Sequence, residues 1–331
     1  MRIEDVIRIT DGLLQNFPSV EMCESIKIDP LKIKRGDLYL DIECSTQNQK
    51  KALDNGAFAI ISEKVSEVFD NEIAWIEVDS LRLACVKLCR YEFSRKNSNI
   101  LFLDDISHEI IQSITKNREF AKLSSNVFES LITIKKSGEN IKYSCSDERL
   151  ALSIDPECSK IDNKFEVLKS KPRTPFYSSF SCNEKSHQDI RIPDIFVEKL
   201  CQITTYLQEK KIDFNIHNLC LQKHFSPLFV DHKLNKKEFG QSEKVIIFEK
   251  NMDMINFEIQ FLNNFTTEFI TCIPKRYRNF FSNHKKIYMF NNQDELKELL
   301  NKNYRRILVL GEREIYEDLF TPKKRVIGTL F

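Results

Sequence analysis

Ser107, His108 and Glu109 stand side by side, and a hydroxyl, an imidazole and a carboxylate are the parts of a base-activated nucleophile. Neighbouring helical residues point away from one another, however, and no glycines of a nucleophile elbow surround them. Ser107 is therefore expected to cap the start of a helix. His217, Cys220 and His224 recur at intervals of three and four, which on a helix would bring them to one face. A zinc site needs three or four ligands, and His232 is the nearest further donor. The expected reading is a half-buried histidine pair on a packed helix, without a metal. Cys85 and Cys89 share a helix face with Leu81 and Leu88 and read as small buried hydrophobes. Lys275, Arg276, Arg278, Lys285 and Lys286 are interleaved with Tyr277, Phe280 and Phe281, with no acid between Phe269 and Gln293. That mixture suits an anionic ligand, and equally a solvated loop over a hydrophobic edge.

A missing residue type says more. The 331 residues contain seven glycines, Gly12, Gly36, Gly56, Gly138, Gly240, Gly311 and Gly328, against about 7% in an average chain. No two share a loop, so neither G-x-x-x-x-G-K-[ST] nor G-x-G-x-x-G is present. Both patterns need clustered glycines to bring backbone N–H groups against phosphate. Fifty Lys and Arg balance 49 Asp and Glu, which excludes a whole-chain attraction to nucleic acid or anionic lipid. No run of about 18 apolar residues marks a membrane span, and residues 1–16 lack a signal peptide's apolar stretch. The expected compartment is the cytoplasm, where the ten cysteines would be reduced thiols.

Hydrophobic periodicity supplies the elements that must position these residues. Helices are expected over 3–17, 46–55 and 80–94, with strands over 37–42, 58–62 and 75–78. The polar stretch 94–99 reads as a linker. A strand over 100–103 precedes a helix from Ser107, and the alternating runs 131–135 and 141–145, parted by Ser137-Gly138-Glu139-Asn140, suit a hairpin. Residues 155–189 give no clear period. Helix resumes over 194–210 and 216–224. The last third alternates strand and helix: strands over 244–249, 268–273, 286–290 and 306–310, helices over 253–263 and 293–301. This pattern predicts a doubly wound sheet. The fold class is α/β, in three parts: a small N-terminal α/β domain (1–95), a central domain (96–240) and a Rossmann-like C-terminal domain (241–331).

The stretch Ile28-Asp29-Pro30-Leu31-Lys32-Ile33-Lys34-Arg35-Gly36-Asp37-Leu38-Tyr39-Leu40 resembles the opening signature of the Mur ligases, roughly D-S-R-x-V-x-x-G-D-L-F-V. The resemblance continues in register through QNQKKALDNGAFAII (47–61), WIEVDSLRLA (75–84) and the helix at 85–93. Weaker similarities at 194–207, 217–228, 245–262 and 293–311 follow the domain order of the member that adds D-alanyl-D-alanine. A Mur ligase would next show a strand, the loop T-G-x-x-G-K-T/S and a helix. Here the loop reads Asp104-Asp105-Ile106. Two carboxylates where phosphates should sit is electrostatically unfavourable, by about 1 kcal/mol at 4 Å even in water, and the phosphate-reaching lysine is absent. The family's D-x-Y-N-A-N-P is replaced by Glu249-Lys250-Asn251-Met252-Asp253, and the serine and arginine of its opening signature by Pro30 and Leu31, neither a side-chain donor.

The resemblance therefore implies a Mur-ligase relative without the phosphate loop, with Asp104, Asp105 and Ser107 at the former phosphate position and Asp29, Gly36 and Asp37 as the relic of a UDP-sugar site. The expectation is a non-catalytic partner or regulator in bacterial cell-wall synthesis, without cofactor, whose partners are cell-wall synthesis proteins or a UDP-muramyl precursor. The basic segment could take a nucleotide, a cell-wall precursor or an acidic protein. A divergent ligase using ATP and magnesium is the alternative from the enzyme class, and a nucleic-acid-binding module is the third. If the loop is such a relic, Asp104 or Asp105 must sit beside a helix N-terminus.

Overall fold

The computed structural model describes residues 1–116, 120–281 and 286–320. They form two compact units, Met1–His108 with Thr115–Asp162, and Glu109–Ile114 with the chain from Asn163 onward. The spans 1–95, 96–240 and 241–331 do not coincide with these units. The stretch 94–99 lies inside the first, because Phe93 before it and Ile100 after it belong to one buried core. The boundary at 240 falls between Ser226–Val230 and Lys244–Glu249, two antiparallel neighbours in a single sheet.

The first unit opens with the helix Ile3–Thr10, shorter than its pattern predicts. Asp11 takes a left-handed φ of 52°, and the chain turns into the short strand Leu13–Leu14. At Gly12 a Cβ would come 2.5 Å from Ile76 Cγ2, so only glycine allows this approach to the sheet. The sheet contains Leu13–Leu14, Ala74–Glu77, Ala59–Ser62, Leu38–Asp41 and Ile26–Lys27 in that order, parallel except at the first edge. Its helices start where the sequence provides oxygen caps: Ser45 accepts from Asn48 N at 3.3 Å and Ser80 from Leu83 N at 3.4 Å.

A three-stranded parallel sheet follows, with Lys142–Cys145 between Asn99–Phe102 and Phe120–Leu123. The hairpin expected over 131–145 is not there. Val127–Lys136 is a helix capped by Asn126, whose Oδ1 accepts from Phe128 N at 2.9 Å. Val127, Ser130, Leu131 and Ile134 are its buried face, a 3.6-residue period that the local alternation around Ile132 and Thr133 conceals.

The stretch 155–189, which enters the second unit at Asn163, resolves partly into an antiparallel sheet of Val167–Lys169, Ser178–Cys182 and Lys185–Ile190. Asn183 and Glu184, both at positive φ, form the tight turn between the last two strands. The helix Val197–Glu209 follows. The final sheet runs Ser226–Val230, Lys244–Glu249, Arg306–Leu310, Phe269–Pro274, Ile287–Phe290, with every pair but the first parallel. Ile246, Phe248, Ile307 and Val309 bury one face. Helices Ile255–Asn263 and Gln293–Leu300 make the crossovers. Among the described residues no helix is long and apolar enough to cross a membrane.

Candidate functional site

The strand Asn99–Phe102 leads through Leu103 and Asp104 into the helix Asp105–Ile114. Asp104, not Ser107, is the cap. Its Oδ1 accepts from Ser107 N at 3.1 Å and its Oδ2 from Ser107 Oγ at 2.9 Å, while its carbonyl accepts the first helical bond from His108 N at 2.8 Å. Ser107 is the donor in the first turn, and Asp105 is the first helical residue. A carboxylate here satisfies an amide that no helical carbonyl can reach and complements the positive end of the helix dipole. His108 is buried, and the Glu109 carboxylate is held elsewhere, accepting from Gln222 N at 2.7 Å and Lys223 N at 3.0 Å. Ser107, His108 and Glu109 therefore do not converge.

The N-terminal signature forms two linked turns. Asp29 accepts from Leu31 N at 3.0 Å at the start of the short helix Pro30–Lys32 and pairs with Lys32 at 3.4 Å. Gly36 takes φ +95°, beyond the range other residues adopt easily, and donates to Gly56 O at 3.0 Å. Asp37 is buried, bound by Ser25 Oγ and by Lys34 N at 2.9 Å. Its carboxylate holds the turn that starts the strand Leu38–Asp41. Leu31 is 73% exposed.

At the carboxyl end of Lys244–Glu249 lies a group of residues that spacing did not reveal. Glu249 is fully buried. Its Oε1 meets His224 Nδ1 at 2.7 Å and accepts from Asn251 N at 2.6 Å, and its Oε2 accepts from Phe225 N at 3.1 Å. Glu258, also fully buried, faces it from the helix Ile255–Asn263. Burial first, then the neighbouring Glu249, raises the Glu258 pKa well above its ordinary value, which favours its neutral form. A glutamate ending an otherwise apolar strand, VIIFE, was the one available signal. His217, Cys220 and His224 do not share a helix: only Ile216–Asn218 is helical, Cys220 is exposed and His224 is buried. Among the described residues no three His, Cys, Asp or Glu side chains are grouped to hold a metal ion.

The basic segment is divided by the sheet. Lys275, Arg276 and Arg278 lie on the short helix Lys275–Phe280, directly after Phe269–Pro274 and hence at the carboxyl end of the parallel strands. Lys286 precedes Ile287–Phe290 at the opposite end, where its Nζ lies 4.2 Å from the Phe269 ring centroid and donates to Asn263 Oδ1 at 2.8 Å. Successive parallel strands force the chain to return across the sheet, so proximity in sequence becomes separation in space. Lys285 lies outside the described residues. The carboxyl end, with Lys275, Arg276 and Arg278 after one strand, the Arg276 guanidinium 4.9 Å from the Tyr277 ring centroid, and the Glu249 group after another, is where doubly wound sheets carry their ligands.

Solved structures share this fold. MurF from Acinetobacter baumannii aligns over 96% of this chain and 97% of its own, with a TM-score of 0.64 and 11% identity. A structure of the UDP-N-acetylmuramoylalanyl-D-glutamyl-2,6-diaminopimelate–D-alanyl-D-alanyl ligase from the same organism aligns over 96% and 97%, with TM-score 0.61 and 11% identity. MurF ligase from Thermotoga maritima, in complex with ADP, aligns over 90% and 97%, with TM-score 0.60 and 12% identity. No family model matches the chain, and no curated protein matches it by sequence. The chain thus has a Mur-ligase-like α/β fold of several sheets and helices.

Proposed function

We propose that this protein keeps the Mur-ligase fold without its ligase chemistry and acts in the cytoplasm as a partner or regulator in bacterial peptidoglycan synthesis, requiring neither ATP nor magnesium. The observation that carries this reading is the Asp104 carboxylate on the amide and hydroxyl of Ser107. By resemblance to the Mur ligases, the turn after this strand is where a phosphate loop would stand. A fixed carboxylate takes the electrostatic role of the phosphate and repels a second anion. The shared fold supports a tie to cell-wall synthesis, and a UDP-muramyl precursor or a cell-wall enzyme is the partner to test first.

The test is calorimetry of the purified chain with Mg-ATP, together with an assay for ATP-dependent joining of an amino acid or dipeptide to UDP-muramyl peptides. Neither binding nor ligation is expected. Ligation would overturn the proposal, and tight magnesium-dependent ATP binding would favour a divergent ligase. Salt-sensitive binding to DNA or RNA would instead favour a nucleic-acid module.

A further inference from the structure

The second unit contains a cavity of about 720 Å³ at the amino ends of the parallel strands, the end opposite Glu249. This is within the ordinary range for small-molecule sites. The turn Thr174-Pro175-Phe176-Tyr177, closed by a bridge between Thr174 and Tyr177, supplies part of an aromatic wall. Phe239 lies 4.7 Å from Phe229, 5.4 Å from Tyr177 and 6.0 Å from Phe176, centroid to centroid. The Arg191 guanidinium lies 4.2 Å from the Phe239 centroid.

Arg306 also lines this cavity. It begins the strand Arg306–Leu310 opposite Val245, another lining residue, and strand alternation sends Ile307 and Val309 into the core on the other face. Arg306 is half-withdrawn from water, which with its neighbour Arg305 lowers its pKa. Among the described residues no carboxylate pairs with it. Arg305 and Glu243, also in the cavity wall, meet each other at 3.3 Å in an exposed pair. Glu268 lines the cavity too but is exposed, where water screens it. An adjoining cavity shares Thr174 and Tyr177 and has Lys171 and Arg173 in its wall.

An aromatic wall beside an unpaired, partly desolvated guanidinium matches one ligand chemistry. We propose that this cavity binds a small planar aromatic anion, its ring against Phe229 and Phe239 and its carboxylate or phosphate on Arg306. The proposal is independent of the reading given above. Arginine presents a planar fork of donors suited to either oxyanion, and aromatic rings stack with one another at centroid distances of about 4.5–7 Å.

The test titrates the full chain with indole-3-propionate, its neutral amide and tryptamine, followed by ligand-observed NMR and calorimetry. Expected affinity falls in the order anion, amide, cation, with the anion at least tenfold tighter than the amide. Arg306→Gln should reduce the anion to the affinity of the amide and leave the amide within twofold. Phe239→Leu should weaken both alike, and Arg305→Gln should change neither by more than about twofold, since a water-screened pair contributes little. Phenyl phosphate should also exceed the neutral amide; the tighter oxyanion identifies the headgroup. Equal binding of anion and amide in the unmodified chain, tighter binding of the cation, or no binding at millimolar concentrations would overturn the proposal without recourse to a variant.

Discussion

Two strand-to-helix turns in this protein place a carboxylate on backbone amides, at very different depths. After Asn99–Phe102, Asp104 caps the next helix from an exposed position, accepting from the amide and hydroxyl of Ser107. After Lys244–Glu249, Glu249 is fully buried and gathers Phe225, His224 and Asn251 from two stretches of chain, with Glu258 facing it. The first lies at the surface and remains partly hydrated. The second removes charge from water and depends on every partner being in place. The same functional group is thus a modest capping device in one turn and, in the other, a condition for the end of a strand paired on both sides.

The contrast predicts unequal mutational costs. Glu249→Ala would leave His224, the buried Phe225 amide and the part-buried Asn251 amide without their acceptor, and urea denaturation should show a loss of about 3–5 kcal/mol. A loss under 1 kcal/mol would erase the contrast. Glu258 gives a pH signature. Its folded-state pKa is raised, so its stabilising contribution is intact below the unfolded value near 4.5 and is lost progressively as pH rises toward the folded value. Wild type should therefore lose stability relative to Glu258→Gln above pH 4.5, by at most about 1.4 kcal/mol per pH unit, the limit for one proton. Paired denaturation curves across pH would show it, and a parallel pair of curves would contradict it.

At the exposed turn the effects shrink. Asp104→Ala should cost about 0.5–2 kcal/mol, and Asp104→Asn, which keeps an acceptor, only part of that. Equal losses for Ala and Asn would mean that charge, not capping, stabilises the turn. Asp105→Asn removes one exposed charge from the first helical turn and should cost about 0.3–1 kcal/mol, diminishing with added salt. A salt-independent loss would point to a contact other than the helix dipole.

Strands such as Ala59–Ser62 and Arg306–Leu310, and the helix Leu81–Ser94, were legible because local periodicity and burial agree. The helix Val127–Lys136 was not, since its buried residues Val127, Ser130, Leu131 and Ile134 recur at helical spacing while its β-branched centre alternates. Residues 216–224 carry helical spacing, but their short helix stops at Asn218 and the chain enters the sheet at Ser226.

Among the site residues, amino-acid type and order alone established that no glycine-rich phosphate loop follows residue 103, that Asp104 and Asp105 stand there instead, and that Gly36 precedes a turn-forming Asp37. Such facts depend on covalent neighbours and short-range geometry. The Glu249–His224–Glu258 group, the separation of Lys286 from Lys275, Arg276 and Arg278, and the aromatic cavity around Arg306 were settled by tertiary structure. Each depends on which strands lie side by side and which ends they share, and parallel pairing joins residues far apart in the chain while parting close neighbours.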